Sequence, residues 1–197
     1  GCNAEDAAIV DTDDMNRILP VLDAADAESQ LAAMADGAAY VELFKDYGKE
    51  IRVALTRVGG RPVGLVVGNG KENDGVLTAQ SASKAARFIR LCDCYSLPVV
   101  SLINSKGVAV PAVDEQAATI KATTQLLYAY AEATTAKVSI VTGNAIGQAY
   151  VAMGGKSNAD VTYAWPGAVI KYVIAALEML SSKRESNPPK KHGNLPL

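Results

Sequence analysis

Histidine is almost absent from this sequence. Its 197 residues include one, His192, set near the C-terminus among prolines and lysines. One imidazole cannot build a multi-histidine metal site, and its place in a tail argues against a Ser-His-Asp or Cys-His arrangement. Cysteine is scarce too. Cys2, Cys92 and Cys94 make neither an even disulfide framework nor a four-ligand zinc set, which suits a reducing compartment and predicts a cytoplasmic protein. A cationic excess is missing, with 19 Lys and Arg against 21 Asp and Glu, so no nucleic-acid partner is expected. Long apolar runs are missing as well: Pro98-Val99-Val100-Ser101-Leu102-Ile103 falls far short of the ~20 residues that a membrane-spanning helix needs. The opening Gly1-Cys2-Asn3-Ala4-Glu5-Asp6 has neither a basic start nor an apolar stretch, so no secretory signal is expected. What is present suffices for one domain, since a chain near ~150 residues buries about 68–70% of its unfolded surface without staples.

The patterning alternates between strand and helix. Ala25 to Asp36 reads as a helix in an acidic, alanine-rich region. Tyr40-Val41-Glu42-Leu43-Phe44 and Ile51 to Val58 alternate apolar and polar residues, as half-buried strands do. Gly59-Gly60 turns the chain, and Pro62 to Gly68 returns as a strand whose unbroken apolar character predicts burial on both faces. A helix follows, capped at Ser81 or Ser83, with Ala85, Phe88, Ile89 and Cys92 on one face. Leu97 to Ile103 is a buried strand and Asp114 to Thr134 a long helix. Val138 to Val141 is a strand, Asn144 to Met153 a small-residue helix, and Val161 to Ala164 a further strand. A hairpin followed by strand-helix units predicts an α/β fold with a largely parallel core. One join is abrupt. Ala164-Trp165-Pro166-Gly167-Ala168-Val169-Ile170 runs straight into Lys171 to Leu180, which reads as a helix with no connection before it.

Several generic motifs carry little. Gly68-Asn69-Gly70 with Gly75 imitates a dinucleotide loop, but the spacing is not G-x-G-x-x-G and a turn is the better reading. Cys92 and Cys94 read as a buried cysteine with a chance neighbour rather than a redox pair. His192 reads as a structural or interface residue, and Asp11, Asp13 and Asp14 as a solvated, capping segment rather than a metal site. The informative piece is Thr142 to Met153, where a strand ends, glycines follow and a helix of small residues begins. Two readings stay open there. Outward N–H groups and the positive end of a helix dipole can hold a developing negative oxygen; small residues can also serve only to let helix and strand pack closely.

Longer segments resemble one known family, in order and spacing, across almost the whole chain. They are Gly60-Arg61-Pro62-Val63-Gly64, Ser83 to Asp93, Leu126 to Thr134, Ala164-Trp165-Pro166, and the tail Pro188 to Leu197. Together they are similar to the C-terminal half of the carboxyltransferase subunits of biotin-dependent acyl-CoA carboxylases and decarboxylases, of the propionyl-CoA and methylmalonyl-CoA type. The resemblance implies a crotonase-like (ClpP/crotonase) spiral of ββα units, with residues 1–170 as the core of this C-terminal domain and 171–197 as its last helix and tail. It implies carboxyl transfer between N1 of biotin and the α-carbon of an acyl-CoA, with biotin carried on a partner protein or domain and able to carry the proton itself. Such chemistry needs positioning and two oxyanion holes rather than histidines.

Carried over by position, the hole for the biotin ureido oxygen has the backbone N–H groups of Gln148 and Ala149 as its donors. Val151 is implied to help set acyl length, its apolar side chain suiting a group larger than acetyl. Gly107, Gly147 and Tyr150 are implied as further substrate contacts. The hole for the thioester enolate belongs to the N-terminal half of such subunits. Each active site lies between the N-terminal half of one subunit and the C-terminal half of another. This chain alone is therefore expected to be inactive, and the full protein to be a homo-oligomer that meets a biotin carboxyl carrier protein.

The sequence departs from the family pattern at several points. The loop that in the family follows an Asp and carries Pro-Gly-Phe and a second Gly is here Asn104, Ser105-Lys106-Gly107-Val108 and Pro111. Arg-His-Gly-Ala-Lys becomes Lys121-Ala122-Thr123-Thr124-Gln125, Arg-Lys becomes Gly143-Asn144, and the second Gly of Gly-Gly-Ala is Gln148. The family's helical and loop segment after Trp-Pro has no counterpart between Ile170 and Lys171, so a missing segment is expected at that join. These departures keep a diverged, non-catalytic scaffold or interaction paralogue as an alternative. A crotonase-type isomerase or hydratase is weaker, because no carboxylate adjoins the turn to act as general base.

Overall fold

A computed structural model describes residues 23–109 and 113–171, and the side chains from residue 118 onward in its long third helix. The elements run α1 (Ala27–Met34), β1 (Tyr40–Leu43), β2 (Ile51–Val58), β3 (Arg61–Gly68), α2 (Ala79–Cys94), β4 (Val99–Ser105), α3 (Val113–Glu132), β5 (Lys137–Ile146), α4 (Gly147–Ala152), β6 (Val161–Ala164) and β7 (Val169–Lys171). The strands form one seven-stranded sheet in the order β1-β2-β3-β4-β5-β6, with β7 also on β5. Pairing is antiparallel between β1, β2 and β3, and parallel from β3 onward. This is the expected hairpin leading into strand-helix units.

Alternation on the strands decides which helix each residue meets. On β3, Val63, Leu65 and Val67 join Ala27 and Leu31 of α1 on one face. Val66 faces the other way, into a larger core with Phe88, Ile89 and Cys92 of α2 and Leu126, Ala129 and Tyr130 of α3. Helices on both faces explain why Val63 to Gly68 is an unbroken buried run, as the apolar pattern predicts. The approach of α2 is close. A Cβ built on Gly64 would lie 2.4 Å from Cys92 Sγ and 3.1 Å from the Phe88 ring. Gly64→Ala is expected to cost about 1–3 kcal/mol of stability in denaturant melts, and pairing it with Cys92→Ala should recover most of that loss.

Among the boundaries that differ from the sequence reading, three bear on the site and its flanks. The cap of α2 is Thr78, not Ser81 or Ser83: Thr78 Oγ1 accepts the Ser81 N–H at 3.2 Å and Ser81 Oγ accepts the Thr78 N–H at 2.9 Å. This is a reciprocal capping box with Ser in the place usually held by Glu or Gln. The helix after β5 begins at Gly147, not Asn144, because Asn144, Ala145 and Ile146 pair with Val169, Ile170 and Lys171. Lys171 accordingly closes β7 rather than opening a helix, and Ile170 and Lys171 are consecutive residues of that strand. The rest of the segment to Leu180, together with Cys2, Asp11, Asp13, Asp14, His192 and the tail, lies outside the described residues.

Lys84 of α2 is 2% exposed and donates to the carbonyl oxygens of Tyr47 and Gly48, at 2.8 and 3.4 Å. Burial pulls its ammonium down to about 8, against the opposing pull of Glu42 and Glu50. The unfolded chain keeps that proton up to the ordinary lysine range near 10.5. Between these values the unfolded state binds more protons, so stability rises with pH. Wild type is expected to gain on the order of 2–3 kcal/mol relative to Lys84→Met between pH 8 and 10.5, read from paired urea titrations.

Candidate active site

The parallel strands β3, β4 and β5 all end at one edge of the sheet, where open α/β folds place ligands. The register puts Ser105 opposite Ala145, so Gly107 and Gly147 each lie two residues beyond a paired position on neighbouring strands. The loop after β4 is pinned at Gly107: its carbonyl accepts the Leu77 N–H at 2.9 Å, and the Ala109 N–H reaches Leu77 O at 2.8 Å. Lys106 is held outside by an exposed ion pair with Asp74 at 2.9 Å.

The β5–α4 junction is the chemically suggestive element. Gly147 turns the chain at φ +59°, and a Cβ there would meet nothing within 4 Å, so the space outside the turn is open. The cap residue Ile146 offers no side chain to the first N–H groups of α4. Those groups, Gln148 and Ala149 among them, have no carbonyl one turn earlier within the helix. Gln148 is exposed while Ala149 is fully buried. Gln148 is also not among the residues with positive φ, so a side chain is accommodated where the family carries Gly. Uncapped N–H groups at a helix start can hold an oxygen that gains negative charge.

Behind the turn, Tyr150 is buried and Val151 partly so. Both line a cavity of about 280 Å³ with Gly155, Lys156 and Ser157. The sequence reading missed these last three. The reason is one of contact: a Cβ on Gly155 would stand 2.6 Å from Tyr150 O, and Tyr150 Oη accepts the Lys156 N–H at 3.3 Å. Tyr150 and Val151 are thus brought together, whereas Gly107 and Gly147 share only the sheet end. Asn104 was also missed as a contact centre: it is 5% exposed and touches the glycine-rich turn at 68–75 as well as β5. That turn ends in one 3-10 turn at Asn73–Gly75, and α2 begins four residues later at Ala79.

Cys92 is buried, and burial pushes its thiol up to about 11, while Cys94 is exposed. They form no redox pair; Cys92 is an inert core residue. Among the described residues no cluster of three or more His, Cys, Asp or Glu could hold a metal ion, and no helix is long and apolar enough to cross a membrane.

The family model described as "Carboxyl transferase domain" matches residues 2–172. The chain belongs to the carboxyl transferase domain family. Its relatives include the methylmalonyl-CoA decarboxylase subunit alpha of Veillonella parvula, 31% identical over 258 aligned positions that cover 99% of this 197-residue chain and 51% of the relative. A biotin-dependent acetyl-/propionyl-coenzyme A carboxylase beta5 subunit of Mycobacterium tuberculosis is 40% identical over 70% of this chain and 25% of that subunit. Among solved structures, a transcarboxylase 12S with hydrolysed methylmalonyl-coenzyme A bound has a TM-score of 0.76 at 32% identity, covering 87% of this chain and 34% of that one. The geranyl-CoA carboxylase beta subunit of P. aeruginosa scores 0.73 at 26% identity, over 83% of this chain and 32% of that one. The carboxyltransferase domain described here thus spans about half the length of the Veillonella relative and a quarter of the mycobacterial one. Its fold is that of the crotonase-like carboxyltransferase domains.

Proposed function

We propose that this chain is the C-terminal half of a biotin-dependent acyl-CoA carboxyltransferase, moving a carboxyl group between carboxybiotin and the α-carbon of a propionyl- or methylmalonyl-type acyl-CoA. The observation that carries the reading is the uncapped, open β5–α4 turn in a chain of this family. Biotin, carried on a partner, would supply the exchangeable N–CO₂ bond and the base for the α-proton. The residues here fit it. The N–H groups of Gln148 and Ala149 would hold the ureido oxygen as it gains charge. Val151 and Tyr150 would border the acyl end of the cavity behind the turn, Gly147 would leave room for close approach, and Gly107 would flank the site from the neighbouring strand.

We also propose that the working site needs the enzyme's own N-terminal half and a second subunit, and meets a biotin carboxyl carrier protein in the cytoplasm. Val161, Tyr163, Trp165, Val169 and Ile170 support this, because they leave an apolar outer edge on β6 and β7. The full-length protein, assayed for carboxyl exchange between carboxybiotin and a panel of acyl-CoA esters, tests the reading. Exchange with any ester supports it; a folded oligomer with none points to the scaffold paralogue, which Gln148 and the altered 104–108 loop favour.

A further inference from the structure

We propose that Asn104 is the positioning residue of this active-site end, the side chain that holds the β5–α4 turn in register with the loops after β3 and β4. The inference rests on reading that turn as the oxyanion site.

The ladder between β4 and β5 breaks opposite Asn104. Ile103 pairs with Val141 and Ser105 with Ala145, so Thr142, Gly143 and Asn144 face a single residue. Such a bulge leaves an N–H without a ladder partner and re-aims the strand beyond it. Asn104 supplies the partner: its Oδ1 accepts the Asn144 N–H at 2.9 Å. Its Nδ2 donates to Ala24 O at 2.6 Å, tying in the chain that leads to α1. One donor and one acceptor on so short a side chain is a property of the amide; an ionised carboxylate only accepts, and leucine does neither.

The surrounding backbone is built to this residue. Cβ atoms on Gly68 and Gly75 would stand 2.5 and 2.3 Å from Asn104 O, and on Gly70 and Gly143 2.6 Å from its Nδ2 and Oδ1. Four glycines, at the end of β3, in the loop after it and in the β5 bulge, therefore close on Asn104, whose partner Asn144 stands three residues upstream of the point where Gly147 turns. The Ala24 segment is fixed independently. Gln30 Nε2 donates to Ala24 O at 2.9 Å, and the hydrogen bond from Lys71 holds the Asp26 carboxyl down to about 2. Asn104 thus links a braced segment to the bulge that sets the turn.

The test uses the full-length protein with Asn104→Leu and Asn104→Asp, free biotin and methylmalonyl-CoA. Asn104→Leu is expected to speed deuterium exchange over 141–152 and to lower kcat/KM for biotin about 100-fold, the effect of a misplaced catalytic group, with KM for the acyl-CoA unchanged. Asn104→Asp keeps the bond to Asn144 but sets an anion against Ala24 O until it is protonated. Charged groups on the elements packed around it are Asp23, Asp26, Lys71, Glu72, Asp74 and Lys106. Both lysines are already paired, with Asp26 and Asp74. The introduced carboxyl is therefore held up by burial, and the Asn104→Asp profile gains a limb in which transfer climbs as pH falls. A wild-type pH profile for Asn104→Asp, or unchanged exchange over 141–152 in folded Asn104→Leu, overturns the proposal; if Asn104→Leu does not fold, Asn104→Asp decides alone. Exchange that responds as expected in a protein inactive with every ester leaves the clamp standing and refutes the carboxyltransferase reading instead.

Discussion

If the proposed function holds, Gly147→Val is expected to lower carboxyl transfer by the full-length protein about 100- to 1,000-fold, the range seen when one oxyanion donor is lost. Its cost to stability should be only about 1–3 kcal/mol. The asymmetry follows from the geometry. At φ +59° a β-branched residue is strained by its own backbone, yet nothing lies within 4 Å of the position its Cβ would take. The strain is relieved by rotating the turn rather than by disturbing the core. That rotation re-aims the N–H groups of Gln148 and Ala149, which follow directly. Gly147→Ala should fall between the two proteins in rate, since alanine tolerates the left-handed region better than valine. The measurement is kcat for carboxyl exchange beside a urea melt of each variant. Near-normal transfer by a folded Gly147→Val enzyme would show that these amides never meet the reacting oxygen.

The turn is legible in the sequence because its signal is local: a strand, glycines, then small residues at helical spacing. Ile51 to Val58 and Val161 to Ala164 were readable at their true bounds for the same reason. What was hidden depends on partners far along the chain. Asn144, Ala145 and Ile146 look helical by composition, and only β7, some 25 residues later, makes them a strand. Asn104 shows in the sequence merely as a polar residue ending an apolar run. Its partners stand 40 and 80 residues away, at Asn144 and Ala24. The cap of α2 was missed on a finer point, because Ser81 performs the return bond from a position where the familiar pattern has Glu or Gln. The glycines at 68, 70, 75 and 143 were the available clue to Asn104. Spaced for no phosphate loop, they mark where the chain closes on Asn104, on its main-chain oxygen from 68 and 75 and on its side-chain amide from 70 and 143.

Removing the ring of Tyr130 is expected to have the largest effect on stability, with Tyr130→Ala costing about 3–5 kcal/mol. Tyr130 is 1% exposed in the core between α2 and α3, and its hydroxyl shares a hydrogen bond of 2.7 Å with Ser101 Oγ. Burial pushes the phenol far above its ordinary range, so the bond stays intact at any pH at which the protein would be studied. The ring also braces the chain after α4. A Cβ on Gly154 would lie 2.7 Å from it, and Gly154 O accepts the Ser139 hydroxyl. Tyr130→Phe keeps the packing but strands the Ser101 hydroxyl, itself 1% exposed, at a cost of about 1–3 kcal/mol. Adding Ser101→Ala removes the stranded partner, so the double variant should be more stable than the sum of the singles by about 1 kcal/mol. Additive losses in that cycle would mean the hydrogen bond contributes nothing. A favourable coupling identifies it as the polar tie between β4 and α3, set directly beneath the segment from Gly154 to Ser157 that closes the cavity behind Tyr150.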